Sequence, residues 1–310
     1  MIFNKDGNGA VELYDLTGIY CAANDFNGIA GELLDASREV ANIVGGGVMQ
    51  RAEEAYDKGE EPELVKAVQL SVACLALVRY FRQTVLSHND SGRKIIAGED
   101  EKVPFEWMID RDDRAMQEKY YRSLDALFAY LEKSEMPEWK ESQVRKTVTR
   151  SIVKDIHDFE AVYPIEQSRY TFFMLLPLVV EVQITKIQKA LGESWSKISG
   201  DVVADEDQTL LYYAKKVAVL NAVVTAVERW SIEVFPQSIA RRFVPTYQGN
   251  RASSSASIAE MEWYINKLKQ QADEAMQDLL SVVAGHSNRY EDYPLMPQNG
   301  RDKKFFNSGM

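Results

Sequence analysis

Cysteine is nearly absent from this sequence: 310 residues hold two, Cys21 and Cys74. Each sits among small or apolar neighbours, which reads as two buried, reduced thiols; a disulfide would need an oxidising compartment. With no Cys-x-x-Cys pair, a structural zinc site is not expected. Histidine is as scarce, and His88, His157 and His286 fall in three separate segments. Long apolar runs are missing too. The longest near mid-chain, Phe172 to Val180, contains Pro177 and falls short of the ~20 residues a membrane span needs. Residues 1–20 hold no apolar stretch of the secretory type, so no signal is expected. Basic charge is in deficit, 36 Lys+Arg against 47 Asp+Glu, for a net charge of −11. A protein that wraps nucleic-acid phosphates needs the opposite field. What remains is 45% hydrophobic and 27% charged, a globular balance that excludes wholesale disorder. At ~100–200 residues per domain, the length suits two domains or two halves of one.

Catalytic signatures are equally thin. Gly7-Asn8-Gly9 and Gly45-Gly46-Gly47 neither follow an expected strand nor precede the Lys-Ser/Thr of a phosphate loop, and the second reads as a helix stop. There is no Gly-x-Ser-x-Gly; Ser253-Ser254-Ser255 lies in a polar loop, residues 248–257. Asp155, His157, Asp158 and Glu160 cluster, and on a helix His157 and Glu160 share a face. Two-metal helical bundles use that spacing twice, with two further carboxylates; here it does not recur, so the cluster reads as solvated helix surface. With 47 acids, no carboxylate pair stands out for acid–base work. The expectation is a non-enzyme with no catalytic, cofactor-binding or metal-ligating residues.

What is present is helical periodicity. Amphipathic spacing predicts helices over about Phe26–Val44, Leu64–Leu86, Asp112–Lys133, Val144–Phe159, Thr171–Leu191, from the acidic Asp205-Glu206-Asp207 to Phe235, and Ile258–Ala284. Ser257 and Glu260 suggest a capping box for the last. Ala10 to Leu13 is the one allowed strand. The chain reads as all-α.

The halves also look alike. Leu70, Ala76, Arg79 and Tyr80 fall on Leu220, Ala226, Arg229 and Trp230, 150 residues on. Glu106-Trp107-Met108-Ile109 matches Glu262-Trp263-Tyr264-Ile265 at 156, Asp125 matches Asp278 at 153, and Phe26–Gly46 matches Phe172–Gly192 at 146. The expected organisation is an arm over 1–14, a helical unit over 15–135, a connecting helix over 136–160, a repeat of the unit over 161–285 and an extended, non-helical tail over 286–310.

Local features suggest contacts. Arg93-Lys94 and Arg241-Arg242 stand in basic loops at matching places in the halves, which read either as solvated loops or as equivalent contact loops facing an acidic partner or DNA phosphates. Trp107 and Trp263 open matching helices and read as core anchors, with exposed partner anchors as the alternative. The tail carries Tyr290, Tyr293, Phe305 and Phe306, aromatic residues suited to a neighbouring subunit.

Gln167-Ser168-Arg169-Tyr170-Thr171-Phe172-Phe173-Met174-Leu175-Leu176-Pro177, the Leu191-Gly192 stop, Pro104-Phe105-Glu106-Trp107 and the Leu124-to-Glu132 helix resemble a family of uncharacterised proteins of about 300 residues from phages and prophages of Bacteroides-type bacteria. In helix order and length each half is similar to the small head–tail connector (adaptor, or head-completion) proteins of tailed phages. That resemblance implies a homo-oligomeric ring docked under the portal protein and presenting a surface to tail or neck proteins. It implies location in the virion neck after assembly in the bacterial cytoplasm, with no membrane partner and no cofactor. DNA would pass through the ring without sequence-specific binding, and a channel rich in negative charge would let it slide. The competing reading is a soluble helical adaptor or regulator of a phage or host protein, without catalysis.

Overall fold

The structure is a computed structural model that describes residues 1–19, 23–84, 87–89, 92–94, 105–200, 202–229, 241–243, 253–255 and 258–285. It is all-α, built from two similar helical units in tandem. The first half runs α1 (Gly9–Thr17), α2 (Ala23–Val44), α3 (Gly46–Lys58), α4 (Pro62–Thr84), a hairpin of β1 (Ser87–Asn89) and β2 (Gly92–Lys94), then α5 (Glu106–Lys133). Three short helices follow: α6 (Pro137–Lys140), α7 (Gln143–Arg150) and α8 (Ile156–Glu160). The second half runs α9 (Arg169–Val182), a π-helical turn (Gln183–Ile187), α10 (Gln188–Leu191), α11 (Trp195–Ile198), α12 (Gln208–Arg229), a hairpin of β3 (Arg241–Phe243) and β4 (Ser253–Ser255), and α13 (Ile258–Val283).

Several expectations need correction. Ala10 to Leu13 is helical, inside α1, because Leu13 and Thr17 share the face that α1 turns to the core. The arm over residues 1–14 is tied to the first unit and enters α1: Ile2 and Phe3 are buried, and the buried Gln69 side chain donates to the Ile2 carbonyl at 2.7 Å. The second and third glycines of Gly45-Gly46-Gly47 open α3, which the sequence reading missed. The Val144–Phe159 helix is broken into α7 and α8. The Asp155 carboxylate accepts the Asp158 N–H at 2.8 Å, which starts a new helix, and the Gln183 side chain bridges the Arg150 carbonyl and the Ile152 N–H at 2.9 Å each. Those bonds replace the helical partners that residues 150–152 would otherwise need.

Three helical stretches, Pro62–Thr84, Arg169–Ile198 and Asp205–Arg229, are long and apolar enough to cross a membrane. Counting only unbroken apolar runs concealed this. Most of each apolar window is buried among the other helices, as an all-round apolar helix at the centre of a bundle should be.

The buried stripes of the two units correspond at a displacement near 146 through the first two long helices of each. Offset by 146, α2 lies on α9, with the buried Phe26, Ile29, Leu33 and Ala36 on Phe172, Leu175, Val179 and Val182. The π turn then adds one residue. Beyond it the offset is 147, so Val40 and Val44 fall on Ile187 and Leu191. Both helices stop on a glycine with positive φ, Gly45 at 105° and Gly192 at 53°. The 146 offset also places α4 on α12: Leu64, Val68, Val72, Ala76 and Val78 match Leu210, Ala214, Ala218, Ala222 and Val224, all buried. The pairing of Arg79 with Arg229 at 150 is therefore one helical turn out of register, and Arg229 stands where Gln83 stands. One continuous apolar core runs through both units, from Ile2 to Leu279.

Candidate interaction surfaces

The best-defined polar geometry lies where the two units join. Ser168 is the N-cap of α9, its hydroxyl accepting the Thr171 N–H at 3.2 Å. A carboxylate from the first unit completes the cap. Asp125 of α5 accepts the Tyr170 N–H at 2.8 Å and the Ser168 hydroxyl at 3.2 Å. Burial pushes the Asp125 carboxyl above its ordinary range, and the hydrogen bonds from Tyr170 and Ser168 pull against that. Arg169 donates to Glu132 at 2.8 Å, so polar pairs flank the junction. Between them lie rings. Tyr121 stacks on Tyr170 at 5.6 Å, Phe128 meets Phe173 at 4.5 Å, and the buried Trp139 of α6 packs edge-on against Phe173 at 5.8 Å. The junction stripe on α5 is thus Tyr121, Asp125, Phe128 and Glu132, at helical spacing of four and three. Sequence reading had marked Asp125 only as a repeat match and had passed over Trp139. The Ser-Arg-Tyr-Thr start of α9 was the available signal for a cap.

A second cluster ties α3 to the segment after α5. Arg51 grips Glu61 through two nitrogens at 2.9–3.1 Å and Glu138 at 2.9 Å. Hydrogen bonding to the two carboxylates raises its guanidinium pKa further above the ordinary value. A cavity of about 640 Å³ opens beside it, lined by Glu63, Tyr130, Glu135 and Met136 among others. Every charged side chain there already has a structural role or faces outward. Among the described residues no group of three or more His, Cys, Asp or Glu side chains is placed to hold a metal. His157 is exposed, and Glu160 accepts the Gln167 N–H at 2.6 Å.

Each unit carries its hairpin between the same two helices, after α4 and after α12. The basic pairs nevertheless differ in place. Arg93 and Lys94 lie on the second strand of the first hairpin, opposite His88 and Ser87. Arg241 and Arg242 lie on the first strand of the second hairpin, opposite Ser255 and Ser254.

The tryptophans of α5 and α13 overturn the core-anchor reading. Trp107 is 38% exposed and Trp263 64%, beside Phe105 and Met108, which are exposed as well. They sit at the outer ends of their helices, beyond the buried stripes that begin near Tyr120 and Leu268. Aligned on their first residues, Glu106 on Ile258, the two tryptophans fall one turn apart.

One family profile matches the chain twice, over residues 33–149 and 178–303, and it describes the family of unknown function DUF6712. The chain belongs to DUF6712. The double match agrees with the structural repeat, since one profile fits both halves of this DUF6712 chain. No curated protein and no solved structure matches it. The proposed tail contacts of this DUF6712 member, Tyr290, Tyr293, Phe305 and Phe306, lie outside the described residues, as does Cys21. Cys74 is buried and free, and burial pushes its thiol pKa up.

Proposed function

We propose that this DUF6712 protein is an assembly subunit, a phage head–tail connector that docks under the portal as a ring. It would extend the DNA channel and offer a surface to the tail. The observation that carries the reading is the junction itself. Two like units are held together by a capping carboxylate, an ion pair and packed aromatic rings, which is how like subunits join in an oligomer. The acidity supports it, because a net charge of −11 suits a channel past which DNA slides without sticking. The reading carries with it no catalysis, no cofactor, location in the virion neck and no membrane partner. The exposed Trp107 and Trp263 favour a second reading, a helical adaptor that binds one phage or host protein without forming a ring.

Mixing the purified chain with portal rings from the same genome tests the proposal. A joint particle with several copies of the chain per portal ring is expected on size-exclusion chromatography. Separate elution of the two components at micromolar concentration would count against it.

A further inference from the structure

We propose that copies of this chain join through opposite charges, the basic outer face of α7 in one copy seating on the acidic cleft beside α3 and α6 of the next. The inference rests on the assembly reading above and names two surfaces that assembly would use.

α7 is a basic helix in an acidic chain. Its sequence, Gln-Val-Arg-Lys-Thr-Val-Thr-Arg, holds three cations and no acid, and Lys154 follows before the next acid, Asp155. Val148 is buried and Val144 half-buried, which fixes the inward face, and α7 packs on α9. At about 100° per residue the opposite face carries Lys146 and Arg150, both exposed, flanked by the exposed Gln143 and Thr149. Like charges four residues apart on a helix oppose each other. Exposed cations of other helices pair within their own helix, Arg38 with Asp35 and Arg122 with Glu118. α7 supplies no such acid, and among the described residues no ion pair engages Lys146 or Arg150.

The complementary surface surrounds Arg51. The 640 Å³ cavity there adjoins a second of about 360 Å³, and Arg51 and Glu61 line both. Together their walls carry six carboxylates, Glu54, Glu60, Glu61, Glu63, Glu135 and Glu138, against two cations, Arg51 and Lys58. Both cations are already held, Arg51 by Glu61 and Glu138 and Lys58 by Glu54. Glu60 and Glu63 are exposed, and among the described residues no ion pair engages them. Pro62, Tyr130 and Pro137 give the cleft apolar surface on which the stem of an incoming Lys or Arg can lie. A second copy is the occupant that meets both surfaces. Copies of net charge −11 repel each other, and this contact sets opposite charges at their interface. Duplex DNA suits α7 less well, because Glu138 and Glu141 stand just before the helix and would repel phosphates. Since different surfaces meet, the contact propagates from copy to copy and closes into a ring when the rotation allows.

The test is charge exchange in the full chain, read by light scattering with and without portal rings. One variant carries Lys146→Glu and Arg150→Glu, the other Glu60→Lys and Glu63→Lys; all four positions are exposed, so circular dichroism should match the parent. Where a reversal disturbs the helix, Lys146→Gln with Arg150→Gln gives the loss of association without added charge. Each reversed variant alone should associate about tenfold or more weakly than the parent. An equimolar mixture of the two should regain the parent mass, because each chain then meets only opposite charge on the other. If both variants keep the parent mass, this interface is wrong while the assembly reading stands. If only one dissociates, or the mixture does not recover, the two surfaces do not face each other and the inference falls. If the α7 variant keeps its mass but loses a retention of duplex DNA that the parent shows, phosphates occupy α7 and the inference falls as well. A parent that stays at 35.2 kDa throughout, with or without portal, would instead overturn the assembly reading beneath it.

Discussion

The Asp125 carboxylate of the first unit accepts the Tyr170 backbone N–H of the second at 2.8 Å. Removing the acceptor with Asp125→Ala should cost about 0.5–2 kcal/mol, the range for a lost N-cap, read as a drop in urea midpoint. Asp125→Asn keeps an oxygen acceptor and removes a carboxylate that burial disfavours, so it should unfold close to the parent. The pH dependence has a definite sign. Because the folded pKa is raised above the unfolded one, the folded state holds the proton more tightly. The carboxyl's contribution is fully present below its ordinary range, is lost as pH rises through the raised folded pKa and is constant above it. Asp125→Asn should lack that slope, and an identical pH profile for variant and parent would contradict the assignment.

Tryptophan position should separate packing from binding. Trp139 is 1% exposed between Phe128 and Phe173, so Trp139→Ala should destabilise by about 3–5 kcal/mol. Its indole N–H has no partner among the described residues, so Trp139→Phe gives back part of that loss by removing an unpaired buried donor. Trp263→Ala should change stability by no more than about 0.5 kcal/mol while weakening capture of a portal or other partner. Thermal melts of the three variants check the ranking. A large loss of stability for Trp263→Ala would restore the core-anchor reading.

The π turn at Gln183–Ile187 is the single extra residue of the second repeat's first long helix. Deleting Ile184, an exposed member of that turn, should restore a plain α-helix and leave Ile187 and Leu191 in the core. The variant should fold and unfold cooperatively. Deleting Leu34, which lies in the α2 region without a π turn, should rotate Ala36, Val40 and Val44 off the core by about 100°, the turn per helical residue, and abolish cooperative melting. Equal outcomes for the two deletions would refute the insertion account.

Most helices were legible in the sequence because their apolar stripes are long and their stops are sharp. The stripes of α2, α4, α5, α9, α12 and α13 carry them, and Gly45 and Gly192 end two of them at positive φ. The register of the repeat was harder to read. An amphipathic helix slid by four residues presents almost the same pattern to itself, so Arg79 aligned with Arg229 when burial aligns Gln83 there. Short helices escaped for another reason. α8 owes its start to the Asp155 cap, and the break before it to Gln183 reaching residues 150–152, while α3 and α6 begin at Gly45 and Met136, which offer no side-chain cap to read. The junction site was illegible because Asp125 and Tyr170 stand 45 residues apart in sequence and meet only through the packing of α5 on α9.

Deleting residues 292–310 should leave the helical signal intact and weaken assembly. Loss of helical circular dichroism in that truncation would make the tail part of the core and contradict its assignment as a contact segment.

The most direct measurement is the particle mass of the purified chain in solution, by light scattering or native mass spectrometry, across a concentration series and with portal added. The account predicts discrete multiples of 35.2 kDa that rise to a fixed plateau, as a closing ring requires. A particle of 35.2 kDa at every concentration, unchanged by portal, would contradict it.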